Sequence, residues 1–328
     1  MRKDILRLLI SINLTLCFNC SSSQKKLIPS VIKPKVVVII FNPIIESQGN
    51  KRLTEVFNWN DPDSLAAVYR KDILEVSNGY LDYQIIKRIE VNEYPIKLDG
   101  FRYTDETFLK CWRERKGFHQ PDNVDYHAIF EKFNIIAQVE KGEIDEVWCF
   151  AFPYSGFWET TMAGKGAFYC NSDPVPDTEH CSRRFIIYGF NYEREVGCML
   201  EDFGHATESI MSYVFRNVPD VQNYWKQFTL YDKIAPGIAN CGNVHFAPNS
   251  EKDYDWGNRR YVICNCDDWY NFPNFKGITR EVNCEQWGNG DMREHHKWWL
   301  QHIPNTEGKI NGIYNNWWYY LGDPNRVD

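Results

Sequence analysis

The run KVVVIIF, residues 35 to 41, carries β-branched side chains without interruption from Val36 to Ile40. A strand sends successive side chains to opposite faces, so a run lacking polar alternation is stable only where both faces are covered. The chain must therefore place further elements above and below this strand. Three more strand-like stretches follow: LDYQIIKRIEV at 81–91, DEVWCFAFP at 145–153 and RRFIIYGF at 183–190. Between them lie two helical segments. DPDSLAAVYRKDILEVSNG is opened by Asp61 and Pro62 and closed by Gly79, and DYHAIFEKFNIIAQVEKGE delivers the chain into the third strand. Residues 99–125 read as irregular. The alternation predicts an α+β (mixed α/β) fold, a mixed or parallel sheet with packed helices and no internal repeat.

The best helix spans about 191–215, where Val196, Met199, Leu200, Phe203, Ala206, Ile210 and Val214 recur at helical spacing. Beyond about residue 230 periodicity fades and the chain becomes rich in Gly, Asn, Pro and aromatic residues. A loop-rich aromatic C-terminal part is expected there, with one helix at REHHKWWLQHI (293–303) and a docking segment at NNWWYYLGDP (315–324). With 12 Trp and 19 Tyr, such a region can fold without many Leu or Val. Residues 36–328 are read as one globular domain.

The N-terminus predicts export. Arg2 and Lys3 precede an apolar stretch from Leu6 to Phe18 that is too short to span a bilayer, so residues 1–20 read as a signal peptide. The segment LTLCFNC followed by SSSQKK is similar to a bacterial lipoprotein signal. That similarity implies lipidation at Cys20, a tether over 21–35 and a membrane-anchored location; cleavage and secretion is the alternative. The net charge of −7 excludes a phosphate-tracking nucleic-acid binder. Nine cysteines follow Cys20. Cys170 and Cys181 bracket a Pro-rich loop and are the expected disulfide, Cys149 reads as a buried thiol, and the lone C-x-C at Cys264 and Cys266 does not make a zinc ribbon.

Within the best helix, EDFGHATE sets Glu201, His205 and Glu208 at i, i+4 and i+7, opposite the apolar stripe. A polar stripe opposite an apolar one is also the ordinary solvated side of a helix. The strand, turn and helix of RRFIIYGFNYEREVGCMLEDFGHATE (183–208) resemble the active-site layout of zincin metallopeptidases, whose H-E-x-x-H motif grips zinc and activates water. The resemblance implies Glu201 and His205 as metal ligands and Asp202 as general base. A third ligand is needed for a hydrolytic zinc site. Glu208, His245, Asp253, Asp255, Asp267 and Asp268 are the candidates, with His245 or Glu208 preferred.

A second constellation is aromatic and acidic: Tyr154, Trp158 and Glu159, then Tyr254, Trp256, Trp269, Tyr270 and Trp287, with Asp255, Asp267 and Asp268. Trp158, Glu159, Trp256 and Trp269 are candidate substrate-binding residues, because rings stack on sugars while carboxylates fix hydroxyls. The same rings serve equally to pack a core. FWETTMAGKGAFYC (157–170) lacks the spacing of a phosphate loop and reads as a loop over the sheet, with Glu159 lining a cleft. His295 and His296 are adjacent on a helix and point about 100° apart, so they read as surface or packing residues rather than ligands of one ion. No G-x-S-x-G elbow or cysteine-protease signature occurs.

The stretches EDFGHATESIMSYVF, CGNVHFAPNSEKDYDWGNRRYV and NNWWYYLGDP are similar to an exported bacterial protein family without an assigned activity. That similarity implies one integrated domain and nothing about substrate. Two functions are expected: a zinc-dependent, peptidase-like hydrolase acting on an extracellular polymer, or a non-catalytic lipoprotein that binds glycan or a surface.

Overall fold

A computed structural model describes residues 31–327. The signal segment, Cys20 and residues 21–30 of the tether lie outside the described residues. The expected tether gives way to fold before residue 36, since Ile32 bridges Leu81 in parallel.

Five strands form the central sheet: β1 (Lys35–Phe41), β2 (Gln84–Val91), β3 (Glu146–Ala151), β4 (Thr160–Ala163) and β5 (Phe185–Asn191). Their spatial order is β2-β1-β3-β5-β4. The first four run parallel, and β4 pairs antiparallel with β5. This is the α+β architecture, a mixed sheet with packed helices. β1 and β3 are buried on both sides, as their apolar runs require.

Helices cover both faces. On one, Tyr69 of α1 (Pro62–Val76) meets Trp148 and Phe190 edge-on at 5.1 and 5.2 Å. On the other, Phe130 of α3 (Tyr126–Phe133) meets Phe185 at 5.6 Å. The helical segment predicted over 125–143 breaks at Asn134, in the left-handed region at φ 54°, before α4 (Ile135–Glu140). Residues 99–125 are not irregular throughout, since α2 (Asp105–Glu114) buries Phe108, Leu109 and Trp112. Thr104 and Thr107 cap its start reciprocally, a signal short enough to be overlooked.

The loop expected over 157–170 contains β4. All four of its residues are buried, and Thr160 and Thr161 donate their hydroxyls to the carbonyls of Cys170 and Asp173 at 2.9 and 3.0 Å. This strand explains why the expected Cys170–Cys181 bridge is absent. Cys170 lies beside Thr160 at the strand's start, whereas the Cys181 carbonyl binds the N–H of Lys165 beyond its end. Three residue steps of a strand separate such points by roughly 10 Å, too far for a disulfide. Both are buried free thiols, as is Cys149.

Helix α5 (Val196–Val214) follows β5, and α6 (Met292–Gln301) packs against it. The C-terminal part holds two short hairpins, Val262–Cys264 with Arg280–Val282 and Asn305–Ile310 with Ile313–Asn316. Its core is aromatic. Phe228 approaches Trp269 at 5.1 Å and Trp317 at 5.6 Å, and Trp225 meets Trp299 at 6.3 Å. Such pairs contribute about 0.5–1.5 kcal/mol each beyond the burial of their area. Among the described residues no helix is long and apolar enough to cross a membrane.

Candidate metal centre

The face of α5 that carries Glu201 and His205 does not look into solvent. Glu201 is 6% exposed, because the segment 241–247 lies across this face, and Asp202, also 6% exposed, turns toward Gly189 and Asn191 at the end of β5. Gly204 permits the approach: a Cβ there would stand 2.6 Å from Val244 Cγ2. Three polar contacts hold the segment down. Val244 donates its N–H to Glu208 at 3.2 Å, Trp299 donates its indole N–H to the Gly242 carbonyl at 3.0 Å, and His296 sets Nε2 3.1 Å from the Val244 carbonyl. His295 and His296 are thus buried packing residues rather than surface ones. Burial lowers the His296 pKa to about 4, so the ring is neutral and donates to one carbonyl only, Val244 or Gly197.

The turn at Asn243 finishes the placement. Its side chain accepts the N–H groups of His245 and Phe246, which aims His245 back at α5. Glu201, His205 and His245 then offer three ligand atoms that all lie within 4.8 Å of one another. His245 Nε2 is 3.1 Å from Glu201 Oε1, and His205 Nε2 is 3.6 Å from Glu159 Oε2. Ligands of a tetrahedral zinc at 2.0–2.3 Å stand roughly 3.3–3.8 Å apart. The donor set therefore fits a zinc-sized ion with little rearrangement.

Both imidazoles are oriented from behind. Glu208 Oε2 lies 3.3 Å from His205 Nδ1, and Asp253 Oδ1 lies 3.0 Å from His245 Nδ1. A carboxylate at Nδ1 fixes the proton there and leaves Nε2 free to coordinate, the usual outer-shell arrangement of metal-binding histidines. Glu208 and Asp253, both candidates for the third ligand, are orienting groups instead. Their i+3 and loop positions put them beside the far nitrogens. Asp255 binds the Glu251 N–H and Asn258 locally, and Asp268 accepts the N–H groups of Lys276, Gly277 and Ile278. Asp267 sits elsewhere, paired with Arg280.

Asp202 does not suit the role of general base. Burial first, then the charges of Glu159 and Glu201, push its carboxyl well above the usual carboxylate range, which opposes the ionised form that a base needs. Burial also opposes ionisation of Glu201, but the hydrogen bond from His245 and the nearby histidines outweigh it and keep its pKa below normal. The same bond to Glu201 raises His245. Glu159, half exposed at the start of β4, is the carboxylate that faces the triad. Asn171 donates to its Oε2 at 2.5 Å, a support that no sequence pattern announced. Tyr254 sets its hydroxyl 3.2 Å from His245 Nε2, and burial raises its pKa, so it stays a donor.

Two clefts flank the triad. One, of about 560 Å³, is lined by Glu159, Arg194, Cys198, Glu201, Asp202 and Tyr254. The other, of about 500 Å³, is lined by Tyr169, Asn171, His205, Glu208, Tyr213 and Arg216. A third cleft of about 280 Å³ adjoins the first through Phe157, Gly189 and Asn191 and carries Tyr154 and Trp158. It lies at the carboxyl ends of β3 and β5, where open sheets gather their sites. Trp158 is half exposed there, whereas Trp256 and Trp269, at 5% and 2% exposure, belong to the core. Trp256 stacks on His295 at 5.1 Å, and Trp269 donates its indole N–H to Asn240 at 2.8 Å.

Together these features define an α+β protein with a two-histidine, one-carboxylate constellation in a groove. Comparison with protein-family models, with curated proteins and with solved structures gives no significant match.

Proposed function

We propose that the protein is an exported, lipid-anchored, zinc-dependent hydrolase that cleaves extracellular peptides. The observation that carries this reading is the convergence of Glu201, His205 and His245, with a carboxylate behind each imidazole. A bound zinc supplies Lewis acidity toward a carbonyl and lowers the pKa of water. The chain's own residues supply the rest. Glu159 accepts the proton of the attacking water and returns it to the departing amine as the C–N bond breaks. Tyr254 donates a hydrogen bond to the carbonyl oxygen as charge develops on it. Asp202, whose protonated form burial favours, lines the cleft as a hydrogen-bond donor to a substrate carbonyl. The clefts on either side of the triad suit an extended chain crossing it. Export and anchoring rest on Arg2, Lys3, the apolar stretch and Cys20.

The test is the metal content of purified protein and its cleavage of unstructured peptides, with and without His205→Ala. One zinc at this site, lost together with cleavage in the variant, is expected. Absence of metal from the wild-type site after dialysis against zinc sinks the proposal. The glycan-binding reading keeps one favourable observation, Trp158 exposed beside Asp122, Asn123 and Asn191. Glycan retention that needs Trp158 and persists in the metal-free protein would favour it.

A further inference from the structure

A second cluster lies far along the chain from the first. Cys266, Asp267 and His302 place one ligand atom each within 4.8 Å of the others. Cys266 Sγ is 3.6 Å from Asp267 Oδ1, and His302 Nε2 is 3.9 Å from the same oxygen. The first lies within and the second just above the roughly 3.3–3.8 Å between ligands of a tetrahedral zinc. His302 is 2% exposed, and its Nε2 has no hydrogen-bond partner. A buried ring nitrogen without a hydrogen-bond partner is costly, so its aim at a thiol and a carboxylate calls for a ligand. Its other nitrogen, Nδ1, is 2.7 Å from the Trp298 carbonyl, which fixes the proton there and turns the lone pair of Nε2 inward.

We infer that Cys266, Asp267 and His302 form a second metal centre, structural in role, that takes zinc or a similar thiophilic divalent cation. Thiolate, imidazole and carboxylate together suit zinc and disfavour calcium or magnesium. Arg280 grips Asp267 through Nε at 2.5 Å and Nη2 at 3.0 Å, which orients the carboxylate and leaves further lone pairs on Oδ1. A fourth donor is within reach in Cys264, whose sulfur accepts the Cys266 N–H at 3.3 Å. Cys266 is fully buried and His302 nearly so, while the Asp267 side chain, one-third exposed, is held by Arg280. A thiol and an imidazole drawn from the interior suit a site that holds structure rather than one that turns over substrate. What it joins is the segment 262–271 and the C-terminal end of α6, the helix that also carries His296 and Trp299.

Cobalt(II) titration of the reduced full-length protein tests this directly. Thiolate-to-cobalt charge-transfer absorption is expected in the wild type and in His205→Ala, and is absent from Cys266→Ser. Zinc content should be two per chain in the wild type and one in each variant, so failure here is separable from failure at the first site. If Cys266→Ser does not fold, His302→Gln and the wild-type spectrum carry the test. No thiolate absorption in the folded wild type, absorption that survives Cys266→Ser, or a disulfide from Cys266 to Cys241 or Cys264 found by mass spectrometry would each overturn the inference.

Discussion

The sheet half of the molecule and its C-terminal half reach burial by different means. In the sheet, β-branched and aromatic residues stack through backbone pairing, so that Ile39 pairs with Cys149 and Cys149 with Gly189 in register. In the C-terminal half, short hairpins and turns are held by interlocking indoles and by polar anchors such as Trp287 donating to the Trp256 carbonyl at 2.8 Å. The first kind of core follows from local periodicity. The second depends on which loop meets which ring. The candidate metal centre spans both, with Glu201 and His205 on the helix that follows the sheet and His245 on a loop that the C-terminal half clamps in place.

The comparison breaks most sharply at a ligand. His245→Ala should lose zinc from the first site and abolish peptide cleavage while leaving the sheet intact; zinc analysis, activity and circular dichroism check this. Next comes the aromatic core. Trp317→Ala, at a fully buried position, should cost about 3–5 kcal/mol, against about 0.5–1.5 kcal/mol for Ile39→Val in the sheet. Denaturant unfolding measures both, and equal losses would remove the distinction between the two cores.

Gly204→Ala tests the junction itself. The added methyl meets Val244, and overpacking of this kind costs about 1–3 kcal/mol. Zinc affinity should fall with it, because Val244 and His245 move together. At the outer shell, Glu208→Gln and Asp253→Asn should each weaken zinc binding by about 10–100-fold, measured by competition with a chromophoric chelator.

The smallest effects are those of pH. His245 is raised, so in the metal-free protein its share of stability is complete below its unfolded pKa of 6.5 and fades as pH rises through the folded value. Glu201 is lowered, so its share is present above 4.5 and is lost as pH falls through its folded value. Together the pair should stabilise the metal-free protein most between 4.5 and 6.5. Zinc must displace the His245 proton, so its affinity should rise with pH over the range where that stability fades. Asp202 is raised, so the metal-free fold loses stability as pH climbs above 3.8, and Asp202→Asn should increase the melting temperature more at pH 8 than at pH 4. Thermal melts of both proteins across pH decide this.

Strands and the long helices were legible because each rests on a run or a period within a dozen residues. β4 and α2 were not. Thr160–Ala163 is too short and too polar at its start to read as buried, and α2 shows only three buried apolar positions. At the site, Glu201 and His205 followed from spacing, and His245 stood among several loop candidates that spacing could not rank. Asp202, Trp256 and Trp269 were each given functions that depend on exposure, and a residue's exposure is set by what packs over it; Glu208 instead meets the far nitrogen of His205 because of its i+3 position.

By itself the sequence determined that a helix with Glu201 and His205 one turn apart must follow the last long strand, because helical geometry is a local property. Only the tertiary structure decided that this face is a cleft and not a wet surface. The deciding contact joins Gly204 to Val244 across forty residues, and no periodicity within α5 encodes a partner that arrives from another part of the chain.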